Sequence, residues 1–139
     1  MLNLPDQPGE PCHIPRHLAQ SLLATAMRSE EAEYGYVQSG ENEQELSIHT
    51  VGSLSRLQQA LQTTKYPVQA VYQTHFRGTP GETEAFCSLA RTCNRSLLCL
   101  GIGTDTKGRI EIQAFLADHQ KCWPISEELE EDGRWSAAI

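Results

Sequence analysis

The stretch SLLCLGIG, residues 96–103, restricts the fold more than any other part of the chain, because it is apolar almost without interruption. A strand with one face in water alternates apolar and polar side chains, whereas a strand covered on both faces does not. The run therefore predicts a central strand of a sheet. The rest of the chain has to supply its neighbouring strands and the helices that cover them.

Seven further segments predict the elements around this strand. Apolar residues at helical spacing predict helices that start at Ile14-Pro15, after Ser53 and at Glu82, and that end near Ser29, before Pro67 and near Asn94. Alternating or β-branched residues predict strands at residues 34–38, 46–50, 68–73 and 109–116. The order helix, strand, strand, helix, strand, helix, strand, strand predicts an α+β fold with a mixed β-sheet flanked by helices.

The chain divides into an irregular N-terminal arm at residues 1–13, one domain at residues 14–118 and an acidic C-terminal tail at residues 119–139. Prolines at positions 5, 8 and 11 indicate the irregular arm. The tail contains EELEEDGR, whose carboxylates predict a solvated surface or a frayed end. A chain of 139 residues is long enough for one core and too short for two.

The balance of charges excludes some classes of partner. Eighteen Asp and Glu residues against eleven Lys and Arg residues give a formal net charge of −7. No positive field is available for a phosphate backbone, so we expect no nucleic acid partner. No apolar run approaches the ~18 residues needed to cross a bilayer, and the first residues lack the basic and apolar regions of a secretory signal. We therefore expect no membrane partner and a cytoplasmic location.

The cysteines do not indicate a structural metal site. There are five of them, an odd number, and no two form a C-x-x-C pair. Their neighbours are mostly apolar, as in Phe86-Cys87 and Leu98-Cys99-Leu100. This pattern favours reduced thiols that pack as small hydrophobic side chains.

The stretch VYQTHFRGTPGETEAF, residues 71–86, carries the candidate site, since it places a histidine at the end of a strand and two carboxylates where a helix begins. A hydrolytic zinc needs about three ligands from His, Cys, Asp or Glu, an open position for water, and a carboxylate that moves a proton. Two histidines at alternate positions of a strand end would point the same way. Gln73 stands where the partner of His75 would lie, and a glutamine amide is a poor zinc ligand. His75 and Glu84 alone would hold zinc weakly.

These residues resemble the metal motif of the JAMM/MPN metalloproteases, also called JAB domains. In that family H-x-H-P is followed, after a loop, by P-S-x-x-D at the start of a helix, and the corresponding runs here are QTHF and PGETE. The segment EEAEYGYV resembles the family's catalytic glutamate and the Gly-containing strand that follows it. The resemblance covers roughly residues 14–116 and implies a JAB/MPN-like fold with cytidine-deaminase-like layering.

The resemblance implies a role for each matched residue. Gln73 replaces the first histidine ligand, His75 keeps the second, and Glu84 stands for the aspartate ligand. Glu31 and Glu33 lie on either side of the expected position of the catalytic glutamate, so they are alternative candidates for the general base. Zinc is the only cofactor that the motif implies, and the donor set for it is incomplete.

The loop before the helix departs further from the family pattern. Phe76 replaces the proline of the motif, and Gly81 replaces the serine that helps to stabilise an oxyanion. In an enzyme with altered ligands, Thr79 or Thr83 would take over that role. Thr79 and Gly81 are therefore the candidate binding residues of the loop.

Without the resemblance, the same residues have simpler explanations. A histidine after a strand, such as His75, is more often hydrogen-bonded or a cap than a ligand. Glu82 and Glu84 complement a helix dipole without any further function. His49, a second candidate ligand, has apolar neighbours that favour a packed edge residue.

Three functional hypotheses follow. The first is a catalytically degenerate JAB/MPN-like domain that binds a peptide tail or a ubiquitin-like protein, with strand edges available for β-augmentation. The second is an active zinc-dependent peptidase or isopeptidase with non-standard ligands. The third is a structural subunit of an assembly, such as a homodimer, with Trp123 and Trp135 at its interface.

Overall fold

The α+β fold is confirmed: a six-stranded mixed sheet, not closed into a barrel, packs with three helices. The structure is a computed structural model and describes residues 12–39, 46–64, 68–104, 107–118, 120–125, 127–130 and 134–137. Within these ranges no helix has the length and apolar content to span a bilayer.

Twelve elements make up the described part of the chain. The helices are α1 (Arg16–Arg28), α2 (Leu54–Thr63) and α3 (Pro80–Cys93). The strands are β1 (Cys12–Pro15), β2 (Tyr34–Ser39), β3 (Leu46–Gly52), β4 (Val68–Thr74), β5 (Leu97–Thr104), β6 (Ile110–Ala117), β7 (Cys122–Ile125), β8 (Glu127–Glu130) and β9 (Arg134–Ala137).

The larger sheet has the strand order β3-β2-β4-β5-β6-β7. Only β4 and β5 are parallel neighbours, and α3 forms the crossover between them, as a parallel connection requires. The other neighbours are antiparallel. A second, three-stranded sheet has the order β1-β8-β9. The C-terminal end of β4, next to the start of α3, is where the candidate site lies.

Strand β5 is buried on both faces, as its apolar run predicts. Leu98, Leu100 and Ile102 join the core cluster that holds the apolar stripe of α1. Leu97 and Cys99 point to the opposite side and join the cluster of α2 and α3. The helices therefore divide into α1 on one face of the sheet and α2 with α3 on the other.

The second core cluster contains three aromatic rings that connect the candidate loop to this core. Phe76 stacks on Phe86 with 5.6 Å between ring centroids and lies 5.3 Å from Phe115. Gly101 makes room for this arrangement, because a Cβ atom at that position would overlap the Phe76 ring. The residue that replaces proline in the motif is thus a core residue.

The short strands at the two ends of the chain are not predicted by the sequence. Residues 12–15 form β1, so the first helix begins at Arg16, after Pro15 at its N-cap. The tail, which the sequence predicts as solvated or frayed, contributes β7, and its residues 127–130 form β8, which pairs in parallel with β1. The arm at residues 1–11 and the side chains of His13 and Trp135 lie outside the described part, and the division into arm, domain and tail stays a prediction.

Candidate functional site

A network of hydrogen bonds around Glu82 closes the junction between β4 and α3. The carboxylate of Glu82 accepts hydrogen bonds from the backbone N–H of Thr79 at 2.9 Å and of Arg77 at 3.0 Å. Its Oε2 also accepts a bond from Nε2 of Gln73 at 2.6 Å. In return, the backbone N–H of Glu82 donates to the hydroxyl oxygen of Thr79, which completes a capping box at the start of α3. One carboxylate therefore fixes the strand end, the loop and the helix.

These contacts set the ionisation of Glu82. Partial burial by itself raises the pKa of this carboxyl, but the bonds from Thr79, Arg77 and Gln73 outweigh it and hold the pKa below its ordinary value of 4.5. Glu82 is therefore ionised at neutral pH. Its negative charge and, to a greater extent, burial raise the pKa of the Tyr34 phenol above 10.0, so Tyr34 keeps its proton.

Gln73 is buried and only partly satisfied. Its side chain is 3% exposed, and it lies opposite Tyr34 in the pairing of β2 with β4. Nε2 donates to Glu82, while Oε1 is buried and has no hydrogen-bond partner among the described residues. A carboxylate acceptor fixes which end of the amide faces Glu82, because the carbonyl end would be repelled there.

His75 does not share the direction of Gln73. Its backbone has a φ of 53°, in the left-handed region, so the alternation of β4 ends before it. Nε2 of the exposed ring donates to the backbone carbonyl of Ser29, just after α1, at 2.8 Å. The expectation that positions 73 and 75 point the same way assumed extended backbone, which the chain leaves at this residue.

The structure brings Glu33, one of the two candidate bases, close to His75 through Ser29. The hydroxyl of Ser29 lies 3.3 Å from Oε2 of Glu33, while the carbonyl of Ser29 holds His75. Thr74 fixes the backbone of Glu33 through two hydrogen bonds. The Glu33 N–H donates to the Thr74 hydroxyl, and the Thr74 N–H donates to the Glu33 carbonyl, both at 2.9 Å. Glu31, the other candidate, is exposed, and its backbone carbonyl meets the Thr74 hydroxyl at 3.4 Å.

Glu84 lies apart from both of the other proposed ligand positions. Its carboxylate forms an ion pair with Arg91, 2.8 Å away along α3, and its side chain is 60% exposed. Gln73, His75 and Glu84 therefore have three different partners. Among the residues that the structure describes, no three His, Cys, Asp or Glu side chains form a group that could hold a metal ion.

The loop residues and His49 have structural roles in this fold. Thr79 is the N-cap of α3, and Gly81 lies in the first helical turn with no described atom within 4 Å of an added Cβ. His49 stacks on Tyr36 with 4.9 Å between ring centroids, and its Nε2 meets the Ser47 hydroxyl at 3.0 Å. His49 is thus a packed residue of the edge strand β3, as its neighbours indicate.

An open cleft of about 230 Å³ lies beside His75, at the ends of β5 and β6. Its described lining consists of Ala26, His75, Phe76, Arg77, Ile102, Gly103, Thr104 and Ile110. This lining contains two basic side chains and no carboxylate. Ile110 is 38% exposed there, although it is a large apolar side chain. The cleft is the part of the candidate region that the fold leaves unfilled.

Four cysteines are free thiols that pack around the core cluster of α3. Burial raises the pKa of each, well above its ordinary value for Cys99 and to about 12 for Cys122. Protonated thiols are poor nucleophiles and poor metal ligands. The prediction of reduced, packed cysteines is confirmed for these four.

Two residues that matter here are not among the candidates taken from the sequence. Glu82 could have been found from T-x-x-E, the capping-box pattern formed by Thr79 and Glu82. Arg77 has no comparable signal, because a single arginine in a glycine-containing loop is ordinary. No protein-family model matches this chain, and no curated protein sequence does either.

Proposed function

We propose that this chain is a JAB/MPN-like domain that lacks a complete zinc site and binds the extended tail of a protein partner in the cleft beside His75. The order of elements supports the relation. A helix, α1, leads to glutamates and to the Gly35-containing strand β2, and the degenerate motif runs from the end of β4 into α3. This is the order that the resemblance implies for residues 14–116.

The chemistry of the three ligand positions argues against a zinc ion there. Gln73 offers a neutral amide whose nitrogen end is engaged by Glu82, and amide oxygen is a weak zinc ligand. Glu84 pairs with Arg91, and His75 contributes the only imidazole. Because the donors diverge, the residues present do not fit zinc, and the proposal includes no hydrolytic step.

The observation that carries the binding function is the open cleft next to these closed positions. The pairing of β4 with β5 ends at Thr74 and Ile102, whereas β5 and β6 stay paired up to Thr104 and Ile110. Beyond Ile102 no described strand pairs with the β4 side of β5, but the backbone of Phe76 covers the first part of this edge, since its N–H bonds to the Ile102 carbonyl at 3.0 Å and its carbonyl lies against Gly103. An extended segment can pair with the remaining residue, Thr104, while its side chains enter the adjacent cleft.

A library of random peptides with free C-termini, selected on the untagged chain in EDTA, tests this function. We expect enriched peptides whose affinity falls at least about tenfold in Ala26→Trp, because the indole fills the cleft. Ala24→Trp is the matched control, since Ala24 lies on the same helix but lines a different groove, between α1 and β3. Peptides that bind both variants equally well would place the binding site elsewhere and reject the proposal.

Elemental mass spectrometry separates this function from the hydrolase hypothesis. The proposal expects no stoichiometric zinc in the purified chain. Near one zinc per chain, lost in both His75→Ala and Glu84→Ala, would reject it and favour a zinc-dependent peptidase or isopeptidase. A concentration-dependent dimer without peptide binding would instead favour the structural subunit.

A further inference from the structure

We infer that the cleft recognises the free C-terminal carboxylate of the bound tail, with Arg77 as the anion-binding group. This inference rests on the proposed function and specifies its ligand. A segment from the middle of a chain brings a carboxylate only where it contains Asp or Glu, whereas a chain end always brings one, next to its last side chain.

The backbone of Arg77 is held in place, while its side chain has no partner among the described residues. Its backbone N–H is fixed by the Glu82 carboxylate at 3.0 Å, so the position of the residue is set by the closed junction. Its guanidinium forms no hydrogen bond or ion pair with any residue in the described ranges, and the side chain lines the cleft. A guanidinium binds a carboxylate through two parallel hydrogen bonds, a geometry that lysine cannot reproduce.

The cationic lining is local and not part of a general positive surface. The whole chain carries a formal charge of −7, which repels free anions at long range. An anion is therefore held at this cleft by direct contacts, which favours a ligand that also contributes apolar burial. A peptide end does so, while a small inorganic anion does not.

His75 also lines the cleft, and one of its two ring nitrogens is already engaged. Its Nε2 carries the proton that bonds to the Ser29 carbonyl, because a carbonyl can only accept. That bond fixes the ring and leaves Nδ1 as the remaining nitrogen. Arg77 therefore supplies the positive charge for the carboxylate, and His75 lies next to it in the lining.

The walls of the cleft fit a short apolar chain end. Ala26 of α1 and Ile110 of β6 supply accessible apolar surface, while Ile102 of β5, which also lines the cleft, is fully buried. Sites for drug-sized ligands have volumes of about 300–1,000 Å³, so a cleft of about 230 Å³ accommodates one or two residues. On the β4 side of β5 the backbone of Phe76 bonds to the Ile102 carbonyl and lies against Gly103, so Thr104 is the described residue that remains as a backbone partner for the preceding residues of the peptide.

Two peptide pools test the inference. Both contain random hexapeptides that end in leucine and carry an N-terminal fluorescein; one pool ends in a free carboxylate and the other in a carboxamide. Each pool is incubated with the full chain, and the retained peptides are separated by gel filtration and quantified by mass spectrometry. We expect at least about tenfold more retention of the free-acid pool than of the carboxamide pool.

Variants of Arg77 in the cleft and of a distant arginine identify the group that binds the carboxylate. Arg77→Gln should lower retention of the free-acid pool to that of the carboxamide pool, and Arg77→Lys should keep only part of the difference. Arg56→Gln is the matched control, because Arg56 is exposed on α2 and does not line the cleft. Thermal unfolding of each variant shows that the fold is intact.

The outcomes separate the inference from the function on which it rests. Equal retention of both pools, lost in Ala26→Trp, would keep tail binding and overturn carboxylate recognition. A preference for the free acid that survives Arg77→Gln would also overturn the inference, since the carboxylate would then be bound elsewhere. Retention of neither pool would reject both the inference and the proposed function.

Discussion

The end of β4 has two sides that use their polar groups in opposite ways. On the α3 side, the Glu82 carboxylate bonds to two backbone N–H groups, to the Thr79 hydroxyl and to the Gln73 amide. On the α1 side, the Arg77 guanidinium has no partner among the described residues, and Ile110 is partly exposed next to an open cleft. The same loop supplies groups to both sides.

Within this short stretch, the polar groups on the α3 side therefore stabilise the fold, and those on the α1 side are available for binding. Polar groups whose bonds are all made within the chain have nothing left to offer a ligand, and their removal leaves buried groups without partners. Groups that are held in position but have no partner cost the fold little and remain available. Variants on the α3 side should therefore change the free energy of unfolding, and variants of the cleft should change binding.

The largest effect is expected for Glu82→Ala. It removes the acceptor of the buried Gln73 amide and the carboxylate half of the capping box at α3, so we expect the free energy of unfolding to fall by about 2–4 kcal/mol. Urea denaturation at neutral pH measures this loss of stability. Glu84→Ala is the control two residues away, and because its ion pair with Arg91 is exposed, it should cost less than about 0.5 kcal/mol.

The pH dependence of the stability difference between the natural chain and Glu82→Ala gives a second test of the α3 side. Because the pKa of Glu82 is lower in the folded chain than its ordinary 4.5, its stabilising effect is complete above that value and is lost as the pH falls through the lower, folded pKa. The difference between the natural chain and Glu82→Ala should therefore shrink in acid. A difference that stays constant down to pH values well below that folded pKa would show that the charge of Glu82 does not matter.

A smaller effect is expected where Phe76 joins the loop to the core. In Gly101→Ala the added Cβ overlaps the Phe76 ring, which is packed against Phe86 and Phe115, so we expect a loss of about 1–3 kcal/mol in the free energy of unfolding. Gly81→Ala is the matched control, since its Cβ meets no described atom and the backbone is helical; it should gain about 0.5 kcal/mol. A neutral Gly101→Ala would mean that the ring can move away.

The sequence predicts the central part of the fold because its elements are encoded locally. The apolar run of β5, the helical stripe of α1 and the alternation of β6 each follow from residues a few positions apart. Strands β1 and β8 have no such pattern, since they contain proline or glutamates and form by pairing with each other from opposite ends of the chain. Periodicity carries no information about such distant pairing.

The candidate site was predictable in position but not in geometry. The motif correctly places Gln73 and His75 at the end of a strand that leads into a helix. The direction of His75 depends on a bond to Ser29, which is distant in sequence, and on Phe76 N–H bonding to the Ile102 carbonyl at 3.0 Å. These contacts exist only in the folded chain, and so the sequence alone favours the wrong direction for the side chain.

The smallest effect is expected at His75 itself. It distinguishes a left-handed backbone at this residue from an extended one. Both His75→Ala and His75→Gly remove the bond to Ser29, but only alanine pays the cost of a left-handed backbone at φ 53°. We therefore expect His75→Gly to be the more stable of the two by about 0.5–1 kcal/mol in urea denaturation, the reverse of the order in a strand. If alanine were instead the more stable, the backbone at position 75 would be extended. Its side chain would then point to the side of Gln73, and the distinction between a closed and an open side of β4 would be lost.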